Sequence, residues 1–361
     1  MKRFFLFSLF LFIGFKASTQ VAIDTFLTDY GRFLAAKPCL SKSFADMQKK
    51  AYYKDHVTFT QKMWKHINDS TIAKINAFIE TKNLRDAADT VTCFYPFGGP
   101  DFLFANVFYP NAKNYVLMGL ENLGSVADIT KKKDADCDLL LAHLNESMQY
   151  LNKSGYFVTS HMSKDFSKSL MNGTIHTVLY FAANRNYMVK KLENGSIDSK
   201  GNFASGKSGY YKAWDLTLTD STGNEKHVYY ISANIVDFKV SKTPYFTTFV
   251  KNMGKHNTFI KSASYIPPHK NFSIVRNLIL ESQKIIQDDT GIQHKMLNDA
   301  TKWTYEYWGT YTMTIKDLSW GFQQDLKDAV AKSPNNKKLP FRISYNGNYG
   351  EGLIMVARKK Q

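Results

Sequence analysis

"TVTCFYPFGGPDFLFANVFYPNAKNYVLMGLENLG", residues 90–124, decides the fold class. An apolar run rich in β-branched and aromatic residues, "TVTCFYPF", stops at the turn Gly98-Gly99-Pro100-Asp101. "FLFANVFY" follows with room for a short helix, and Pro110-Asn111 closes it. A second apolar run, "NYVLMGLE", ends in Glu121. Nearly continuous apolar runs of this length suit parallel strands buried on both faces. Strand, turn, helix and strand together imply parallel pairing through a right-handed crossover. This is the outline of a nucleotide-binding crossover. There, turn glycines let the backbone approach a ligand, and the acid ending the second strand holds ribose hydroxyls. Gly98 and Gly99 take the place of the glycine turn and Glu121 that of the acid. There is no GxGxxG, however, and Pro100 removes an N–H that a phosphate cradle would use. No cofactor is therefore expected.

Outward from this stretch, the preceding segments read as helices. "VAIDTFLTDYGRFLAA" (21–36) places Val21, Phe26, Tyr30 and Phe33 near one face, and "VTFTQKMWKHIN" and "STIAKINAFIETKNL" follow, with Ser70 as the N-cap of the second. Downstream, 136–152 is an amphipathic helix and "GYFVTSH" a third strand. "TIHTVLYFAANRN" fits helix or strand. The polar stretch 194–209 reads as an exposed loop. "YYKAWDLTLTDSTGNEKHVYYISANI" reads as a β-hairpin. "PYFTTFVKNM", "NFSIVRNLILESQKII" and "DLSWGFQQDLKDAVAK" read as helices and "TFIKSASYI" as a strand. "LPFRISY" and "EGLIMVARKK" read as a closing antiparallel pair. The expected fold is α/β, a Rossmann-like central sheet with a helical N-terminal extension (20–86) and antiparallel C-terminal additions within an 87–361 domain.

The first nineteen residues stand apart. Lys2 and Arg3 precede an apolar stretch from Phe4 to Phe15, and the small residues Ala17, Ser18 and Thr19 follow. This is the layout of a secretory signal peptide, with cleavage expected around Thr19–Gln20. The apolar stretch falls short of the roughly 20 residues that span a bilayer, and no other run reaches that length, so no transmembrane segment is expected after signal removal. The chain is expected to be exported, periplasmic or extracellular. Its 361 residues are 44% hydrophobic and 22% charged, which supports a large core and excludes a disordered composition. The formal charge of +16 falls by three when Lys2, Arg3 and Lys16 leave with the signal. An anionic envelope surface is a candidate partner for such a chain. The lysines are spread along the sequence, with one tight run at 130–134, so dedicated nucleic-acid binding is not expected. The three cysteines, Cys39, Cys93 and Cys137, leave at least one free thiol. A Cys39–Cys137 bridge stays open, and no Cys/His spacing suggests zinc.

The phrases "YPFGGPDFL" and "NAKNYVLMGLE" resemble those of an uncharacterised family of exported bacterial proteins, together with "SASYI", "QDDTGI", "WGTYTMTI" and "LPFRISY" further along. That resemblance covers most of the mature chain and implies no activity. "FYPNAKNYVLMGLE" is also similar to the second strand of Rossmann-like methyltransferases, where an acid follows a like phrase.

Candidate site residues collect at the carboxyl ends of the strands, where open α/β sheets place ligands. Asp101 reads as a helix N-cap or as an acid beside a ligand. With Glu121 and His161 of "TSHMSKDF" it would make an acid–base set. Gly98, Gly99 and Asp101 are the candidate ligand-binding turn. Asp288 and Asp289 in "QDDTG" could hold a divalent ion or cap a helix. Trp303, Tyr305 and Tyr307 share a strand face and could stack sugars or fill a core. No HExxH and no GxSxG occurs. Two functions follow. The first is a non-enzymatic envelope or secreted binding protein on a degenerate scaffold. The alternative is a hydrolase of an envelope or extracellular substrate, with Asp101, Glu121 and His161 catalytic at the turn. A methyltransferase, which needs an open cleft above Gly98, comes third.

Overall fold

Helices come first along the chain. In the computed structural model, which describes residues 22–85, 91–154, 170–262, 266–297, 299–311, 316–343 and 352–360, they are α1 (Thr25–Leu34), α2 (Lys42–Met47), α3 (Ala51–Ile67) and α4 (Ala73–Thr81). Asp24 caps α1 by accepting the Leu27 N–H at 2.9 Å. Leu27, Tyr30, Phe33 and Leu34 then recur at helical spacing and are buried. The expected N-cap at Ser70 is not one. A π turn over Asn68–Ile72 joins α3 to α4, and the Ser70 hydroxyl donates back to the His66 carbonyl at 2.6 Å. A serine bonded to the preceding turn lets the helix run on instead of starting it.

The two apolar runs of 90–124 form adjacent parallel strands, β1 (Thr92–Tyr95) and β2 (Asn114–Gly119), joined by α5 (Phe102–Phe108). Helices α6 (Asp134–Ser154) and α7 (Ile175–Asn184) follow. Strands β3 (Met188–Ile197), β4 (Phe203–Ser205), β5 (Tyr211–Thr219) and β6 (Glu225–Ser232) come next, then α8 (Asp237–Val240), α9 (Tyr245–Asn252) and β7 (His256–Ile260). The chain continues through α10 (Ser273–Leu280), β8 (Lys284–Gln287), α11 (His294–Leu297), β9 (Trp303–Thr310), α12 (Gln324–Lys332) and β10 (Gly352–Lys359). The ten strands form one sheet in the order β4-β3-β5-β6-β2-β1-β7-β8-β10-β9. The middle five, β6 to β8, are parallel. Antiparallel strands extend both flanks.

Side chains alternate between two cores, and that explains the unbroken apolar runs. Cys93 and Tyr95 of β1, Tyr115 and Leu117 of β2 and Phe259 of β7 face a cluster filled by Phe33, Leu144 and Leu179 from α1, α6 and α7. Phe94, Val116, Met118 and Ile260 face the opposite cluster, with Phe246, Leu278 and Val330 from α9, α10 and α12. Each central strand is covered on both faces and has no solvent side to carry polar residues.

Several local readings change. The run 317–332 is not one helix: a 3₁₀ stretch over Lys316–Gly321 ends before α12 begins at Gln324. The polar stretch 194–209 is not a loop: it holds the end of β3 and all of β4, at the edge of the sheet. Edge strands carry polar and charged side chains that discourage further pairing, so they read as loops. The segment 281–286 leaves the helix, because α10 stops at Leu280 and Ile285 and Ile286 enter the parallel sheet as β8. The closing strand β10 pairs with β9 and β8 and not with residues 339–343. Its six leading residues are buried, and two long-range partners cover them better than one hairpin neighbour. The expected third strand, "GYFVTSH", lies outside the described residues.

Candidate functional site

Beyond Tyr95 the chain turns across the end of β2. The Gly99 N–H donates to the Met118 carbonyl at 3.0 Å, and Gly99 takes a φ of +58°, a left-handed conformation that favours glycine. A side chain on Gly98 would enter the Tyr95 ring, while one on Gly99 would stand 3.4 Å from Glu121 Oε2. The two glycines therefore let the turn lie down on β1 and β2. Glu121, two residues past β2, is 5% exposed. Its Oε2 accepts the Tyr230 hydroxyl at 2.9 Å, and the same hydroxyl is 3.2 Å from the Glu121 carbonyl. Burial, and then the Glu121 charge, raises the Tyr230 pKa well above the ordinary phenol value, so the phenol stays a donor.

A pocket of about 120 Å³ opens over these strand ends. Gly99, Glu121, Asn234 and the main chain of Gly119 supply polarity. Phe97, Met118, Ile235 and Phe272 form most of the apolar wall. Phe97 and Phe272 meet edge to face, with ring centres 5.9 Å apart. Asp101 does not line this pocket. It caps α5, with Oδ1 accepting the Phe104 N–H at 3.1 Å and Oδ2 accepting the Tyr95 hydroxyl at 3.1 Å. Burial raises its pKa to about 6, against the pull of Lys261 and of these two donors.

A second group of charges lies beside it. The sheet order reverses direction between β1 and β7, so their carboxyl ends flank the switch point at which open α/β sheets bind ligands. Here the Tyr95 hydroxyl, whose one proton lies between Asp101 Oδ2 and the Lys261 carbonyl, is 2.9 Å from that carbonyl and closes the gap. Lys261, the first residue past β7, is buried, with its Nζ 5.0 Å from the centre of the Phe104 ring. Burial lowers its pKa, while Asp101 and Asp288 oppose that. Asp288, the first residue past β8, is raised by burial and by Asp289. Its Oδ1 accepts from the Thr290 N–H at 2.9 Å and from the Thr290 hydroxyl, which in turn accepts the Ser262 N–H at 2.7 Å. Asp288 Oδ2 is buried without a hydrogen-bond partner among the described residues.

No protein-family model, curated protein or solved structure matches this chain.

Of the residues singled out in the sequence, Gly99 and Glu121 meet in the pocket, Asp101 sits in the neighbouring buried charge group, and His161 lies outside the described residues. Asp288 belongs to the charge group and does not cap a helix. Among the described residues, no set of three or more His, Cys, Asp or Glu side chains is placed to hold a metal ion. The three cysteines are free thiols, so the Cys39–Cys137 bridge is not made. Trp303, Tyr305 and Tyr307 do share a face. They pack into the α11–α12 side, where the Tyr307 hydroxyl meets His294 Nε2 at 2.7 Å and His294 Nδ1 meets Asp325 at 2.9 Å. Tyr230 and Phe272 carry no motif. Lys261 has one faint signal, a cation directly after the apolar run "TFI".

Proposed function

We propose that the protein is an exported, non-enzymatic binding protein whose Rossmann-like scaffold takes a small ligand at the carboxyl edge of its sheet. The observation that carries this reading is the pocket over β1, β2 and β6, apolar except for Glu121 and a few neighbouring polar groups. A carboxylate oriented by Tyr230 in such a setting suits a ligand with an apolar body and hydroxyl or amine donors. Its 120 Å³ is below the roughly 300 Å³ at the lower end for drug-sized ligands, so an adenosyl or dinucleotide cofactor does not fit as the pocket stands. Export rests on the basic, apolar and small-residue order of residues 1–19. The hydrolase reading needs Asp101 in the pocket, whereas its two oxygens already serve the α5 cap and Tyr95. Methyl transfer needs room for its cofactor above Gly98.

The test is calorimetry of the mature chain against a panel of small polyols and alkyl amines, with S-adenosylmethionine as the control. At least one panel member is expected to bind, and Glu121→Gln to weaken it by about tenfold through loss of a charge-assisted hydrogen bond. Saturable S-adenosylmethionine binding, or a Glu121→Gln variant that binds as well as wild type, would overturn the reading.

A further inference from the structure

Four strands away from β1, the sheet edge carries a larger groove of about 420 Å³, lined in part by the first residues of "WGTYTMTI" and "LPFRISY". One face of α4, from Lys74 to Thr81, forms one wall together with Lys82; Trp308 and Gly309 of β9 form the floor, and residues from Pro334 to Pro340 the other wall. That second wall is built in. The Gly309 N–H donates to the Asn335 carbonyl at 3.3 Å, and the Ser333 hydroxyl donates to the Tyr307 carbonyl at 3.2 Å. Leu339 is buried beneath it. On the floor, the half-buried Trp308 ring meets Phe78 edge to face at 5.5 Å. Lys82 Nζ lies 4.9 Å from the centre of the same ring.

The rim has one sign. Lys74, Lys82, Lys337 and Lys338 line the groove, and no acidic residue is among its described lining residues. A lysine patch that is merely solvated needs no aromatic floor. A volume within the usual range for ligand sites, an indole face and four ammonium groups fit a molecule with a flat apolar surface and several carboxylates. We infer that this groove binds an acidic glycan, a short chain of uronic-acid sugars. A pyranose ring stacks on Trp308, and its carboxylates meet the lysines. The site is separate from the Glu121 pocket and does not depend on how that pocket is used.

The mature chain is titrated by calorimetry with short oligogalacturonates, and with cello-oligosaccharides of equal length as the neutral control. Oligogalacturonate is expected to bind, and its affinity to fall at least about tenfold as NaCl rises from about 0.05 to about 0.5 M. Lys337→Gln with Lys338→Gln, both exposed positions, is expected to weaken binding by about tenfold with an unchanged melting curve, and the paired Arg variants to restore it. Glu121→Gln is expected to leave it unchanged. Absence of binding, equal binding of the neutral chain, or no effect of the double Gln variant overturns the inference. So does tighter binding to phosphatidylglycerol vesicles or to single-stranded DNA.

Discussion

Asp101 shows how one side chain serves a fold and records its environment. Its carboxyl caps α5 and receives Tyr95, yet burial holds its pKa at about 6. An unfolded aspartate ionises near 3.9. The folded chain thus keeps the proton longer. The stability this contributes is complete below about pH 4 and is lost as pH rises through about 6. Asp101→Asn keeps an oxygen for the Phe104 N–H and has no charge to bury. Thermal melts of both proteins from pH 4 to 7 are expected to show wild type losing ground to the variant with rising pH, by on the order of 2 kcal/mol. A constant difference would mean that the carboxyl ionises normally and pairs with Lys261 as a full charge. The cap itself was readable, since an aspartate preceding an apolar helical segment is a standard start signal. The raised pKa was not, because it comes from burial in the assembled sheet, which outweighs the opposing pull of Lys261, some 160 residues further along the chain.

At the scale of elements, legibility follows burial symmetry. Strands β1 and β2 are apolar on both faces and announced themselves, as did α5 between them. Strands β3 and β4 at one margin carry "KKLENGS" and similar polar text, and the stretch from 194 onward read as loop. The sequence of β10 marks it as a strand but not its partners β8 and β9, since nothing local distinguishes a neighbour close in sequence from one brought there by the sheet. The same asymmetry predicts hydrogen exchange. Amides of β1, β2 and β7 have strands on both sides and are expected to exchange slowest. Those of the margin strand β4 are expected to exchange at least about a hundredfold faster. Protection of β4 equal to that of β1 would mean that another segment or molecule covers that edge.

The whole molecule joins a basic charge balance to an α/β scaffold with helices on both faces of the sheet. Among the described residues, no helix is long and apolar enough to cross a membrane. If residues 1–19 act as a signal, the chain made with its natural N-terminus in a Gram-negative host will be recovered outside the cytoplasm and will start near Gln20, as read by intact mass. Cytoplasmic protein that retains its N-terminal residues would remove export from the proposal, and with it the case for envelope ligands.

Taken alone, the sequence determined the α/β class, the β1–α5–β2 crossover, the helical start and the position of the glycine turn. Each of these is a local pattern of apolar spacing, turn residues or caps. Tertiary structure alone decided the strand order and which face each buried residue serves. It also decided that Glu121 meets Tyr230, and that Asp101 meets Lys261 and not the pocket. These are contacts between segments 100 or more residues apart. Only the closing of the sheet brings them within hydrogen-bond or charge range, and no local spacing records it.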